Sequence, residues 1–179
     1  SIKLAETGTL ASSISMSGGT LDADNSLTVS GALTHTGNIT IDVAETKTLT
    51  YTGTAISLGA NTLTLTGGGS LVSGGLTLND PSSMLLLNSI TVDNVSTTVD
   101  SLGLDIDADS TVTSLSVANI TPVSIASGKT LSGAITVTAG SINLDETGTL
   151  ASTVEMSGGV LDADESLTVS GALTQSGDT

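Results

Sequence analysis

Residues 1–39 recur at 141–179, offset by 140, with 28 identities in 39 positions. A chain that repeats itself at this distance must fold each copy the same way and join the copies without a break, so repeat architectures take precedence over a unique globular core. The substitutions between copies fix the geometry further. Ile2, Leu4, Leu10, Met16, Leu21, Ala23, Leu27, Val29 and Leu33 are unchanged in the second copy, and Ile14 becomes Val154, still β-branched. The differences fall mostly on Lys3/Asn143, Ala5/Asp145, Ser15/Glu155, Asn25/Glu165 and His35/Gln175. Apolar alternates stay fixed while polar alternates drift, as in strands with one face in a core and the other in water.

A shorter period lies inside the long one. Apolar-x-apolar pairs open at Ile2-x-Leu4, Leu21-x-Ala23 and Ile39-x-Ile41, and later at Leu63-x-Leu65, Leu76-x-Leu78, Ile90-x-Val92, Leu102-x-Leu104-x-Ile106, Leu115-x-Val117, Ile135-x-Val137 and Ile142-x-Leu144. A second series sets a small polar residue before Leu or Val: Thr9-Leu10, Ser26-Leu27, Thr48-Leu49, Thr111-Val112, Thr130-Leu131, Thr149-Leu150 and Ser166-Leu167. Ser17-Gly18-Gly19, Gly67-Gly68-Gly69, Asn79-Asp80-Pro81 and Ser127-Gly128-Lys129 separate the pairs and suit tight turns. The register is least clear over 80–101. With 31 Thr and 27 Ser, abundant Val and Ile, and no run of helical periodicity, the propensity is β throughout.

These periods predict an all-β parallel β-solenoid of about nine coils of roughly 20 residues. Residues 1–140 form one full unit, and 141–179 begin the next, continuous with the first. At roughly 4.8 Å per coil the stack is about 43 Å long. One Tyr (Tyr51), no Phe and no Trp fit a thin aliphatic interior. The alternative, a pair of β-sandwich domains, would ordinarily carry core aromatics and gives a 20-residue subperiod no role.

Composition also excludes functions. There is no Cys, hence no disulfide, thiolate nucleophile or cysteine metal site. The only basic residues are Lys3, Lys47 and Lys129, and a net charge of −15 repels nucleic acid and anionic membranes. No apolar run is long enough to insert in a bilayer. The N-terminal Ser-Ile-Lys-Leu-Ala-Glu does not read as a signal peptide, and the chain reads as an excerpt of something longer. His35 is the only His, and Gln175 replaces it in the second copy, so it is expected in a solvated turn rather than a triad or zinc site. Paired catalytic carboxylates of the polysaccharide-cleaving kind would lack Arg and sugar-stacking aromatics. The chain is therefore read as a non-enzyme that requires no cofactor.

The acids raise one ligand question. Asp22-Ala23-Asp24, Asp105-Ile106-Asp107-Ala108-Asp109 and Asp162-Ala163-Asp164-Glu165 recur as D-x-D. Stacking Ile2 over Leu21 over Ile39 sets Lys3 beside Asp22 and Asp24 beside Asp42, with Asp145 beside Asp164 in the second copy. Like charges across neighbouring strands repel. Two readings follow: a solvated acidic face, or a Ca²⁺ site on Asp105, Asp107, Asp109, Asp24 and Asp42, whose oxygens suit that ion. Neither the EF-hand pattern nor Gly-Gly-x-Gly-x-Asp repeats are present. Thr-x-Thr runs at 48–52, 62–66 and 136–138 raise ice binding, but Asp22, Asp24, Asp42 and Asn143 interrupt the array. Asn25, Asn38, Asn61, Asn79, Asn88, Asn94 and Asn119 fall at expected turns, where stacked Asn side chains can hydrogen-bond along the solenoid as a structural ladder rather than recognise a ligand.

Turns such as Gly128-Lys129-Thr130-Leu131-Ser132-Gly133, Gly148-Thr149-Leu150 and Ser166-Leu167-Thr168-Val169-Ser170-Gly171 resemble the repeats of very large bacterial surface proteins, the filamentous-haemagglutinin-type adhesins and autotransporter-like passengers. The resemblance implies secretion to the cell surface, an extended β-helical stalk, and a part in adhesion or cell–cell contact. It carries no catalytic motif. The partners expected are neighbouring repeats of the same chain, with head-to-tail or lateral, Ca²⁺-bridged self-association.

Overall fold

The computed structural model describes residues 1–119, 121–144, 148–163 and 168–177. Strands that alternate Thr or Ser with Leu, Ile or Val can bury only every second side chain, so each coil must close on itself around a shared apolar axis. The chain does this as a parallel β-solenoid. One sheet stacks nine strands in sequence order: Ile2–Leu4, Gly19–Ala23, Ile39–Val43, Thr62–Thr66, Met84–Asn88, Gly103–Ile106, Pro122–Ile125, Ser141–Leu144 and Val160–Ala163. Every pairing within it is parallel. No helix occurs among the described residues.

A second side begins with Gly8–Leu10, Leu27–Val29, Thr48–Tyr51 and Ser70–Val72. A third begins with Ile14–Met16, Leu33–His35, Ile56–Ser57 and Leu76–Leu78. The two sides merge in the middle of the molecule, where Thr91–Thr97, Ser110–Val117 and Thr130–Val137 run through both as single strands, and they separate again towards Thr149–Ala151 and Val154–Met156. Where these long strands pass one another, the register shifts between Thr111 and Ser114. Gly133 lies opposite the shift with φ 124°, so close to the Val112 carbonyl that a Cβ would not fit.

The inward rows carry the stability. Along the first sheet, Ile2, Leu21, Ile41, Leu65, Leu87, Ile106, Ile125, Leu144 and Ala163 stack in one line. Ile39, Leu63, Leu85, Leu104, Val123, Ile142 and Leu161 form the next. Away from the two ends these side chains are wholly buried, each contributing about 1.5–3 kcal/mol through removal from water. Strands on either side of residue 140 pair as all the others do.

Two expectations need correction. Leu21 stacks on Ile41, not on Ile39. The strand begins at Gly19, whose φ of 91° allows the turn, and Gly19 takes the place under Ile39. The row from Ile2 consequently reaches Leu144, two residues past its sequence equivalent Ile142. Leu102 does not open an inward pair: its strand starts at Gly103 and Leu102 is 60% exposed. The region 80–101 is nonetheless regular, with Leu85, Leu87, Val92 and Val95 buried in register.

The single aromatic ring marks a flaw in the ladder. Strands Ile14–Met16 and Leu33–His35 form a separate two-stranded sheet, because no strand of the following coil pairs with Leu33–His35. Tyr51 fills that gap from inside. Its ring is 6% exposed, and its hydroxyl accepts the Leu33 N–H at 3.3 Å. Gly53 leaves room for the ring, since a Cβ there would overlap the phenol. Tyr51→Phe should cost about 1–3 kcal/mol, the penalty of a buried donor without an acceptor. Urea denaturation checks this, and a loss below about 0.5 kcal/mol would show that the hydroxyl carries no structural role.

Candidate functional site

With the inward positions settled, chemistry must come from the outward alternates and the turns. In the first sheet Lys3, Asp22, Asp42, Thr66 and Asn88 form one outward column. Lys3 stands beside Asp22 as expected. The expected Asp24–Asp42 neighbours are not formed, since the two-residue shift puts Asp22 opposite Asp42. Asp24 lies past the strand end, and its Oδ2 is 2.7 Å from Lys3 Nζ, which also reaches Asp22 Oδ2 at 3.5 Å. The hydrogen bond to Asp24, with the charges of both carboxylates, holds the Lys3 ammonium above its usual pKa. The same bond from Lys3 holds Asp24 below the ordinary carboxylate range. All three side chains are open to water, where such pairs contribute little. The expected pair Asp145–Asp164 lies outside the described residues.

The D-x-D-x-D run divides by task. Asp105 points outward from its strand, between Leu86 and Ser124. Asp105 and Asp107 line a shallow groove of about 220 Å³ with Ile106, Ser124 and Ala126. Asp109 is turned away: its Oδ1 accepts the Thr130 N–H at 2.8 Å, tying one coil to the next. Asp93 does the same for Ser73, 2.6 Å from its N–H. Among the described residues no three His, Cys, Asp or Glu converge as metal ligands, so Asp24, Asp42, Asp105, Asp107 and Asp109 do not form one site.

The expected ladder of stacked Asn side chains is not what these residues build: they bond mostly to backbone rather than to one another. Asn25 donates to the Ala5 carbonyl, Asn38 accepts from Thr62 N–H, and Asn79 accepts from Gly59 N–H. Asn94 accepts from the Ser114 hydroxyl of the next coil. Asn61 bonds locally to Leu58. His35 sits at a turn with Nδ1 3.1 Å from the Gly37 carbonyl, and Gln175 Nε2 makes the equivalent bond to Gly177 at 2.9 Å. An imidazole N–H and an amide N–H serve the same turn, which is how the repeat accepts either residue.

Hydroxyls are arranged more regularly than Thr-x-Thr spacing revealed. Thr20, Thr40 and Thr64 share one column before Leu86 and Asp105 interrupt it. Longer columns lie on the other sides: Thr48, Ser70, Thr91, Thr111 and Ser132, and Ser57, Thr77, Ser96, Ser116 and Thr136 before Glu155. The sequence signal for them is Ser or Thr at the coil period rather than at alternate residues.

This arrangement of fold and surface defines a parallel β-solenoid with an acidic, hydroxyl-rich exterior. Compared with known proteins, the chain matches no family model, no curated protein and no solved structure.

Because no three carboxylates converge among the described residues and Asp109 is bound to backbone, cations should act here by screening. The melting temperature should rise equally with NaCl and CaCl₂ at matched ionic strength. A rise specific to CaCl₂, accompanied by heat on calorimetric titration, would reveal a coordinated ion instead.

Proposed function

We propose that this chain is a length of rigid stalk or filament in a secreted repeat protein at a bacterial cell surface, serving adhesion or cell–cell contact. The observation that carries the reading is the uninterrupted stacking of inward rows across the junction of two sequence repeats at residue 140. Stacked rungs extend reach at about 4.8 Å each, and a 140-residue unit of seven rungs adds about 34 Å. Stiffness comes from nearest-neighbour ladders, and no ligand or catalytic group is needed for it. The turn-forming role shared by His35 and Gln175 supports a non-catalytic reading. The side-by-side carboxylates of Asp22 and Asp42 favour a second reading, lateral association bridged by Ca²⁺.

Immunogold labelling with antibody raised against residues 1–179 tests the proposal on intact cells that make the protein. The expected result is label outside the envelope, displaced from it by a stalk. Label only after permeabilisation would contradict it.

A further inference from the structure

The Asn79-Asp80-Pro81 turn does more than separate two strands. It joins Leu76–Leu78 to Met84–Asn88, with Pro81 and Ser82 exposed and Ser83 fully buried. Ser83 pins the turn from inside. Its hydroxyl donates to the Gly59 carbonyl of the preceding coil at 2.7 Å and accepts the Asp80 N–H at 3.0 Å. Two further bonds fall on Asp80 itself. Its carbonyl accepts the Ser83 N–H at 2.9 Å, and its carboxylate Oδ1 accepts the Ser82 N–H at 2.9 Å. The carboxylate is thus folded forward along the Asp80–Pro81 peptide bond, and the carbonyl of that bond already has a donor on its oxygen.

We propose that the Asp80–Pro81 bond is a self-cleavage site, opened by the Asp80 side chain in acid. The carboxyl oxygen of Asp80 adds to the carbonyl carbon of its own residue. The negative charge that develops on the carbonyl oxygen meets the Ser83 N–H already bonded there, as it would an oxyanion donor. The C–N bond to Pro81 breaks, the carboxyl proton passes to the Pro81 nitrogen, and a cyclic anhydride is left on Asp80. Water opens the anhydride, so the balance is hydrolysis of one peptide bond. Proline directs the chemistry this way. Pro81 has no N–H, so its nitrogen cannot attack the Asp80 carboxyl to give the imide that competes at other Asp residues. Pro122, the other proline, follows Thr121, so the chain has a single bond of this kind. The turns stacked on either side, residues 59–61 and 98–101, contain one titratable group, Asp100, and no base. The cut falls in an exposed turn and leaves the core untouched. Across it Thr62–Thr66 stays paired with Met84–Asn88, and both Ser70–Val72 and Leu76–Leu78 with Thr91–Thr97. The two pieces therefore remain stacked after cleavage. The chemistry lies within one turn and does not depend on the stalk reading.

The test incubates the whole 179-residue chain at the lowest pH at which its circular dichroism remains native, and follows it by intact-mass spectrometry. Fragments 1–80 and 81–179 should accumulate as an equimolar pair that co-migrates on gel filtration until urea is added. Asp80→Asn and Pro81→Ala, both in a turn outside the core, should each slow the cut at least about tenfold. The same chain unfolded in urea at that pH should also be cut at least about tenfold more slowly, because the carboxylate is no longer held along the bond. A native chain that stays intact, or one cut at other bonds as fast as at Asp80–Pro81, would overturn self-cleavage at this turn. So would an Asp80→Asn or Pro81→Ala variant cut at the wild-type rate, or an unfolded chain cut at the native rate. Pieces that part on gel filtration without urea would overturn the stacked product.

Discussion

Each rung of this molecule is stable only because another rung lies against it. A coil of about twenty residues encloses too few side chains to hold itself closed, and its backbone donors and acceptors point along the axis rather than across the coil. Stacking meets both needs at once, since parallel ladders satisfy the backbone while Leu65, Leu87 and Ile106 pack directly over one another. The apolar rows can be built from Leu, Ile and Val alone because the interior is one side chain deep from each of its sides. The same constraint explains why the two copies differ where they do: an inward substitution disturbs buried packing against two neighbours, whereas an outward one changes only solvent-exposed contacts such as those of Lys3.

The turns are where the ladder would fail, and polar side chains hold them. Asp93, Asp109, Asn38 and Asn79 each accept a backbone N–H from an adjacent coil. Part of the acidic and amide composition is thus structural, a set of caps distributed along the stack. The remainder gives an exterior of strongly negative charge, which favours solubility and disfavours non-specific lateral contact. Tyr51 belongs to the same logic, supplying from the core a hydrogen-bond acceptor that the backbone of its own coil does not place over Leu33.

Most of this architecture was legible in the sequence. Fixed Ile2, Leu4, Leu10 and Met16 against drifting Lys3 and Ser15 gave the direction of each side chain, and the recurrence of apolar pairs gave the coil. What the pattern could not give was register to within one pleat. Gly19 is silent in an apolar count, yet it occupies a place in the row beneath Ile39 and moves Asp22, rather than Asp24, opposite Asp42. The role of Asp109 was hidden for a related reason. Whether a carboxylate faces water or caps a neighbouring turn depends on the length of the following coil, and coil spacing here varies between 19 and 24 residues. The long strands that merge two sides, such as Ser110–Val117, join Thr111-Val112 to Leu115-x-Val117, which the pattern places in two separate series because their apolar alternates fall out of step between Val112 and Leu115.

Stability passes from rung to rung along one continuous stack. Native-state hydrogen exchange measures this residue by residue. Protection should be greatest for the amides of Leu65, Leu87 and Ile106, fall towards both ends, and cross residue 140 without a step. Two plateaus of protection separated by a fast-exchanging boundary, or slowest exchange at Ile2 and Leu173, would contradict it.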